Sequence, residues 1–200
     1  MNKILIGCKS GWQFDGRRER CLNTWMIDID LFCSTQIDYV FSFGVNNIPA
    51  AQKIGHCLFL PCPNEYEYLP KRMRLFCQWA ITLEWWDYLF CTDDDTRICA
   101  ERLVNYDTHG ADYIGPEWKR GVGYASGGGH FLSRRAAEVV AERLIENVGH
   151  DDLLVGRHLA ESGIKLTVDN ERFRVLMPLD AEPGHDNNWV YSTPAKREPR

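Results

Sequence analysis

The sequence predicts an α/β domain with a mostly parallel central sheet flanked by helices. Short runs rich in β-branched and aromatic residues alternate with segments whose apolar residues recur at helical spacing. Glycine and proline separate these segments. The alternation runs through nearly the whole chain, and that order builds a parallel sheet with helical crossovers.

Each element follows from its residues. Lys3 to Cys8 (KILIGC) reads as a buried strand. Arg17 to Ile29 reads as a helix, with Leu22, Trp25, Met26 and Ile29 at helical spacing. Ile37 to Phe43 (IDYVFSF) is a strand ending at Gly44, and Cys57 to Leu60 is a short strand ended by Pro61 and Pro63. Pro70 to Trp86 reads as a helix with proline at its start and Leu75, Phe76, Trp79, Ile81 and Leu83 on its apolar side. Asp87 to Thr92 (DYLFCT) is a strand running into Asp93-Asp94-Asp95-Thr96. A helix near Arg97 to Tyr106 and a strand at Asp112 to Ile114 follow. Tyr124 to Ser133 (YASGGGHFLS) is a glycine-rich turn plus strand. Helices are expected over Arg134 to Val148 and Asp151 to Ser162, then strands over Ile164 to Val168 and Phe173 to Met177. Residues 1–191 form the expected domain, and 192–200 (STPAKREPR) a flexible polar tail.

At 200 residues the chain is long enough to bury about 70% of its unfolded surface, so its core needs no staples. Lys and Arg number 23 against 28 Asp and Glu, a formal charge of −5. That balance disfavours a nucleic-acid polymer, which recruits an excess of cations. It leaves open a small phosphate-bearing ligand, which needs only a few groups or a metal. The eight cysteines form no CxxC pair, which argues against zinc. The opening apolar run is too short for a signal peptide, and no apolar run of about 18 residues could cross a membrane. The expectation is a soluble, cytoplasmic protein with reduced thiols; in a processed ectodomain the even count would suggest disulfides.

Four constellations carry chemistry. Asp93-Asp94-Asp95 follows an apolar strand directly, at the carboxyl end where open α/β sheets bind ligands. Adjacent acids repel one another and call for a cation. Asp93 and Asp95, two residues apart, can face one Mg²⁺ or Mn²⁺, or a metal and a ribose hydroxyl. The bland alternative is a solvated turn or a helix cap. In Ser126-Gly127-Gly128-Gly129-His130, three glycines cost backbone entropy and make sense where the backbone approaches a ligand or adopts positive φ; a flexible hairpin is the alternative. It lacks the spacing of a Walker or dinucleotide loop. Asp151-Asp152 opens a helix, as a cap or as a general base at the mouth of a site. The preceding His150 is reminiscent of the His-Asp metal phosphohydrolases, but those are all-helical and this chain has too many strands. His185 lies in a late loop, as a surface residue or as a neutral third metal ligand.

In this order the motifs resemble the β-1,3-glycosyltransferase and Fringe-like group of inverting GT-A enzymes. The resemblance runs from about Ile4 to His185. It rests on Arg17-Arg18 with Thr24-Trp25, the helix ending in Trp85-Trp86-Asp87, Asp93-Asp94-Asp95-Thr96, Ser126 to Gly129 with Leu132-Ser133-Arg134, and Asp151-Asp152-Leu-Leu-Val-Gly156. It implies a GT-A-like, Rossmann-type single domain that moves a sugar from a nucleotide sugar, a UDP-sugar, to a hydroxyl of a glycan or glycoconjugate. It also implies Mn²⁺ or Mg²⁺ on Asp95, Asp93 and His185, with Asp93 and Asp94 near the donor. Asp152 is the implied base and Asp151 its alternate. Gly127, Gly128 and Gly129 would line the donor sugar or acceptor. Lys9, Ser10, Arg17 and Arg18 could contact the nucleotide, although RRER also reads as a solvated helix start. The membrane anchor and stem of animal Golgi members are absent from this sequence, and the chain is shorter than their catalytic domains. Both points suggest a compact microbial or viral relative. A non-catalytic nucleotide-sugar or glycan binder and a nucleotide-sugar hydrolase are the competing readings, since fold alone does not establish turnover. Trp118 and Trp189 are candidates for selecting the sugars.

Overall fold

The computed structural model describes residues 2–117, 121–174 and 191–192. In chain order these form β1 (Ile4–Lys9), α1 (Asp15–Cys21), β2 (Ile37–Gly44), β3 (Gln52–Ile54), β4 (Cys57–Leu60), α2 (Leu69–Ala80), β5 (Tyr88–Asp93), β6 (Arg97–Ile98), α3 (Ala100–Val104), β7 (Tyr113–Gly115), β8 (Gly129–Ser133), α4 (Arg134–Arg143), α5 (Asp151–Glu161), β9 (Thr167–Val168), β10 (Phe173–Arg174) and β11 (Tyr191–Ser192). Eight strands make one sheet in the order β3-β4-β2-β1-β5-β8-β7-β9. Its centre, β4, β2, β1 and β5, is parallel. β3 is antiparallel to β4, β8 is antiparallel to β5 and β7, and β9 is parallel to β7. A smaller sheet runs β10-β11-β6.

The pleat of β1 sorts the core onto two faces. Ile4, Ile6 and Cys8 join Trp25, Met26, Tyr39, Phe41 and Phe90 on one side. Leu5 joins Val40, Phe76, Leu89, Leu132, Val140 and Leu159 on the other, under α2, α4 and α5. Gly7 falls on that second face, and it is glycine there because a Cβ would lie 2.3 Å from the Phe76 ring. All eight cysteines are free, and six are buried, where they act as small hydrophobes.

Several boundaries differ from those the sequence suggests. The helix expected over 70–86 stops at Ala80, because side chains take the next carbonyls. Thr82 Oγ1 donates to Trp79 O, the Trp86 indole to Ala80 O, and Arg134 to Ile81 O and Leu83 O. The helix expected over 134–148 ends at Arg143, after which Arg74 donates to the Leu144 and Ile145 carbonyls. The first helix starts at Asp15 and continues through two π-helical turns, Leu22–Met26 and Ile29–Cys33. Arg97–Ile98 is extended rather than helical because it pairs with Tyr191–Ser192. β3 escapes a periodicity reading because all three of its residues are exposed. Ser192 belongs to a strand, while 193–200 and 175–177 lie outside the described residues.

Candidate functional site

The two acidic motifs converge on the carboxyl end of the parallel sheet. Lys9 ends β1 and Asp93 ends β5, and the two are partners in the ladder. The Lys9 ammonium lies 3.1 Å from Asp93 Oδ1 and 2.7 Å from Asp151 Oδ2 in the first turn of α5. One buried cation therefore bridges motifs 58 residues apart in sequence.

The three consecutive aspartates are not equivalent. Asp93 leaves 38% of its side chain accessible, Asp95 19% and Asp94 only 4%. Asp94 turns inward, where Ser10 Oγ donates to it at 2.6 Å and Arg17 at 3.3 Å. Arg17 also reaches Asp95 Oδ2 at 3.4 Å. Arg18 donates to Ser10 Oγ at 2.9 Å, to Gly11 O and to Asp15. The sequence-predicted Lys9, Ser10, Arg17, Arg18, Asp93, Asp94, Asp95, Asp151 and Asp152 are thus one connected cluster.

The glycine segment closes it. Gly127 N–H donates to Asp152 Oδ2 at 2.8 Å, and a Cβ at Gly127 would lie 3.1 Å from that oxygen. Gly128 O accepts from Thr92 Oγ1 at 2.8 Å and Thr96 Oγ1 at 3.0 Å. Gly129 opens β8 beside Thr92. None of the three has positive φ, so positive φ is not the reason for glycine here; at Gly127 the missing side chain lets the backbone approach Asp152. In α5, Gly156 lets the segment before this turn pack closely: a Cβ there would lie 2.3 Å from Tyr124 Cβ.

Burial and neighbours set the charges. Burial pushes Asp93 up, to about 7; Lys9 opposes this, Asp95, Asp151 and Asp152 add to it, and water reaching the side chain moderates it. Burial would also raise Asp151, but the charge and hydrogen bond of Lys9 outweigh it and hold that carboxyl low. Asp152 is pushed above the usual carboxylate range by burial and by the charge of Asp151. Burial and the charge of Lys9 keep His130 neutral, down to about 4.

Sequence reasoning missed several residues. Arg72 of α2 is buried and donates to Ser10 O and Asn64 O, each at 2.7 Å, fixing the turn after β1. The available signal was an arginine at helical spacing with Leu69, Met73 and Phe76. Trp12, half-exposed, stacks on Phe43 at 4.6 Å and on Phe59 at 5.9 Å, beside the β1, β2 and β4 ends. His185, Trp118 and Trp189 lie outside the described residues. A separate cavity of about 630 Å³, lined by Tyr106, His109, Asp169 and Arg172 among others, shares no residue with the acidic cluster.

Among the described residues no three His, Cys, Asp or Glu side chains gather closely enough to enclose an ion. Asp93 and Asp95 remain as two partly accessible hard-oxygen donors. That set fits Mg²⁺ or Mn²⁺ of the kind bound by one or two carboxylates, with phosphate and water completing the shell.

The chain matches no protein family and no curated protein. Solved structures do match. One is a glycosyltransferase involved in glycosylation of the major capsid of PBCV-1, at 13% identity and TM-score 0.60, covering 96% of this chain and 93% of that one. The fold is GT-A-like. An active-site mutant of LgtC also aligns, at 12% identity and TM-score 0.49, over 98% of this chain and 88% of that one. At these identities the first likeness carries the architecture: a single α/β domain with a mostly parallel sheet. No helix among the described residues is long and apolar enough to cross a membrane.

Proposed function

We propose that this chain is a metal-dependent, inverting glycosyltransferase of β-1,3, Fringe-like type, moving a sugar from a UDP-sugar to a hydroxyl of a glycan or glycoconjugate. The observation that carries the reading is the meeting of Asp93-Asp94-Asp95 with Asp151-Asp152 at the carboxyl end of a GT-A-like sheet. The likeness to the PBCV-1 capsid glycosyltransferase supports it and favours a viral or microbial relative.

In this reading Trp12 offers its open face to the nucleobase, and Arg17 holds Asp94 and Asp95 in place. Asp95 and Asp93, with His185, would hold Mn²⁺ or Mg²⁺, which when bound neutralises the charge developing on the departing diphosphate. Asp152, fixed by the Gly127 N–H, takes the proton of the acceptor hydroxyl. The acceptor oxygen bonds to the anomeric carbon as the bond from that carbon to phosphate breaks. One displacement inverts the centre, so one base suffices. Gly127, Gly128 and Gly129 line the sugars with backbone alone.

The test is a binding and turnover screen of UDP-, GDP- and CMP-sugars with and without Mn²⁺, over a panel of acceptor sugars. The expected result is Mn²⁺-dependent UDP-sugar binding and acceptor-dependent UDP release. Release without an acceptor would make the chain a hydrolase, and binding without release a binding protein. No binding of any nucleotide sugar would overturn the reading altogether.

A further inference from the structure

Lys9 is the contact through which the two acidic motifs touch. Its side chain is only 7% exposed, and that of Asp151 5%. Its ammonium has Asp151 at 2.7 Å and Asp93 at 3.1 Å. Asp151 spends a carboxylate oxygen on this contact deep in the first turn of α5, whereas Asp152 is only half-buried and accepts the Gly127 N–H at 2.8 Å. Arg72 pins the carbonyl of the next residue, Ser10, so the strand end that carries Lys9 is itself fixed.

We propose that Lys9 is a positioning residue: it ties α5 to the ends of β1 and β5 and sets the distance between the donor's carboxylates and Asp152. Asp151 is then part of the tie, and Asp152 is the only acid of its pair presented to the acceptor. This rests on the glycosyltransferase reading for its catalytic consequence, but the tie itself does not. Contact between Lys9 and the nucleotide would instead require the ammonium to leave two carboxylates in a buried site, which is costly.

The experiment compares wild type with Lys9→Met, Lys9→Arg and Lys9→Met/Asp151→Asn, the last because it leaves no stranded Asp151 charge if the single variant folds poorly. Three measurements are made: amide hydrogen exchange across 150–155 and 93–96, the Kd of UDP with Mn²⁺, and kcat for UDP release. The donor for release is whichever of UDP-glucose, UDP-galactose and UDP-N-acetylglucosamine wild type turns over fastest. The expected result is faster exchange in both segments for the two Met variants. Their kcat should fall by about 10²-fold, as misplacement of a catalytic group by about 1 Å can cost, with UDP affinity within about threefold of wild type. The double variant should lose no more than the single one, because both break the same tie, and Lys9→Arg should recover part of the loss. Unchanged exchange in both segments overturns the proposal. So does a UDP affinity weakened tenfold with kcat intact, which would make Lys9 a nucleotide contact. Wild-type protein that releases no UDP from any donor defeats the glycosyltransferase reading instead, and the exchange measurement still decides the tie.

Discussion

Asp152→Asn isolates proton transfer from structure. Asn is isosteric, and its amide oxygen can still accept from the Gly127 N–H, now 2.8 Å from Asp152 Oδ2. Its NH₂ can donate toward the neighbouring Asp151 carboxylate, whose charge raises Asp152 in the wild type. The change removes one negative charge from the start of α5, worth about 0.3–1 kcal/mol of favourable helix-dipole interaction, and also removes the repulsion from Asp151. These effects oppose, so the melting temperature should move little. What Asn cannot do is take a proton. A positioned general base contributes about 10²–10⁴ in rate, or about 2.7–5.5 kcal/mol of barrier, so kcat should fall by that factor. The affinity for UDP with Mn²⁺ should stay within about threefold if, as the proposed function has it, this carboxylate serves the acceptor. The pH profile supplies an independent check. Burial and Asp151 raise the Asp152 carboxyl, so wild-type kcat should fall with decreasing pH along a limb above the ordinary carboxylate range. The sign follows from the role: a protonated base cannot accept the acceptor's proton. That limb should vanish in Asp152→Asn. A variant that keeps kcat within tenfold of wild type, or an unchanged acid limb, would refute the assignment.

The other predictions concern the rest of the site and its support. Asp95→Ala should weaken Mn²⁺-dependent UDP binding by at least about the 10–100-fold typical of losing a metal's outer-shell partner, seen as convergence of titrations with and without the ion. Asp151→Asn should instead cost stability, by up to about 3 kcal/mol in urea unfolding, because buried Lys9 keeps only Asp93. Trp12→Ala should lower UDP affinity by the equivalent of about 1–3 kcal/mol if the ring stacks on the base, and should also cost about 1 kcal/mol or more of stability, because the buried half of the ring stacks on Phe43 and Phe59. Gly156→Ala should destabilise by about 1–2 kcal/mol despite the helix-propensity gain of about 1 kcal/mol, because the new methyl meets Tyr124 Cβ at 2.3 Å. Gly16→Ala in α1, with nothing within 4 Å, should be neutral or stabilising in the same melt.

The central strands were legible because burial on both faces writes them as continuous apolar runs: KILIGC, IDYVFSF and DYLFCT all became core strands within a residue or two. Helix ends were less legible because distant side chains set them. Nothing local tells that Arg134 will take the carbonyls of Ile81 and Leu83 and cation–π stack on Trp86 at 4.4 Å. The site shows the same division. The strand-end position of Asp93 and the helix-start position of Asp151-Asp152 follow from local sequence. The inward turn of Asp94 does not, because it depends on Ser10 and Arg17, reached only after the sheet has formed. Lys9 reads locally as a polar residue after an apolar run, and its partner Asp151 lies 142 residues away.

That placement changes what the acidity means. Around the two motifs, five carboxylates meet two directly paired cations, Lys9 and Arg17, a formal surplus of three negative charges. Such a cluster repels a bare diphosphate, and a low local dielectric makes the repulsion stronger than in water. If Asp93 and Asp95 hold a divalent cation, as the proposed function has it, that ion would cancel two of those charges and make the mouth a seat for phosphate. The cations already present relieve only part of the repulsion, since Lys9, paired with Asp93 and Asp151, and Arg17, paired with Asp94 and Asp95, leave that surplus of three. Metal-free affinity for UDP should therefore be weak and should improve with rising ionic strength, as screening weakens the repulsion. With the metal present, the same salt should weaken binding. This opposite response to salt separates a carboxylate-held metal site from a simple basic phosphate pocket, in which salt weakens binding under both conditions.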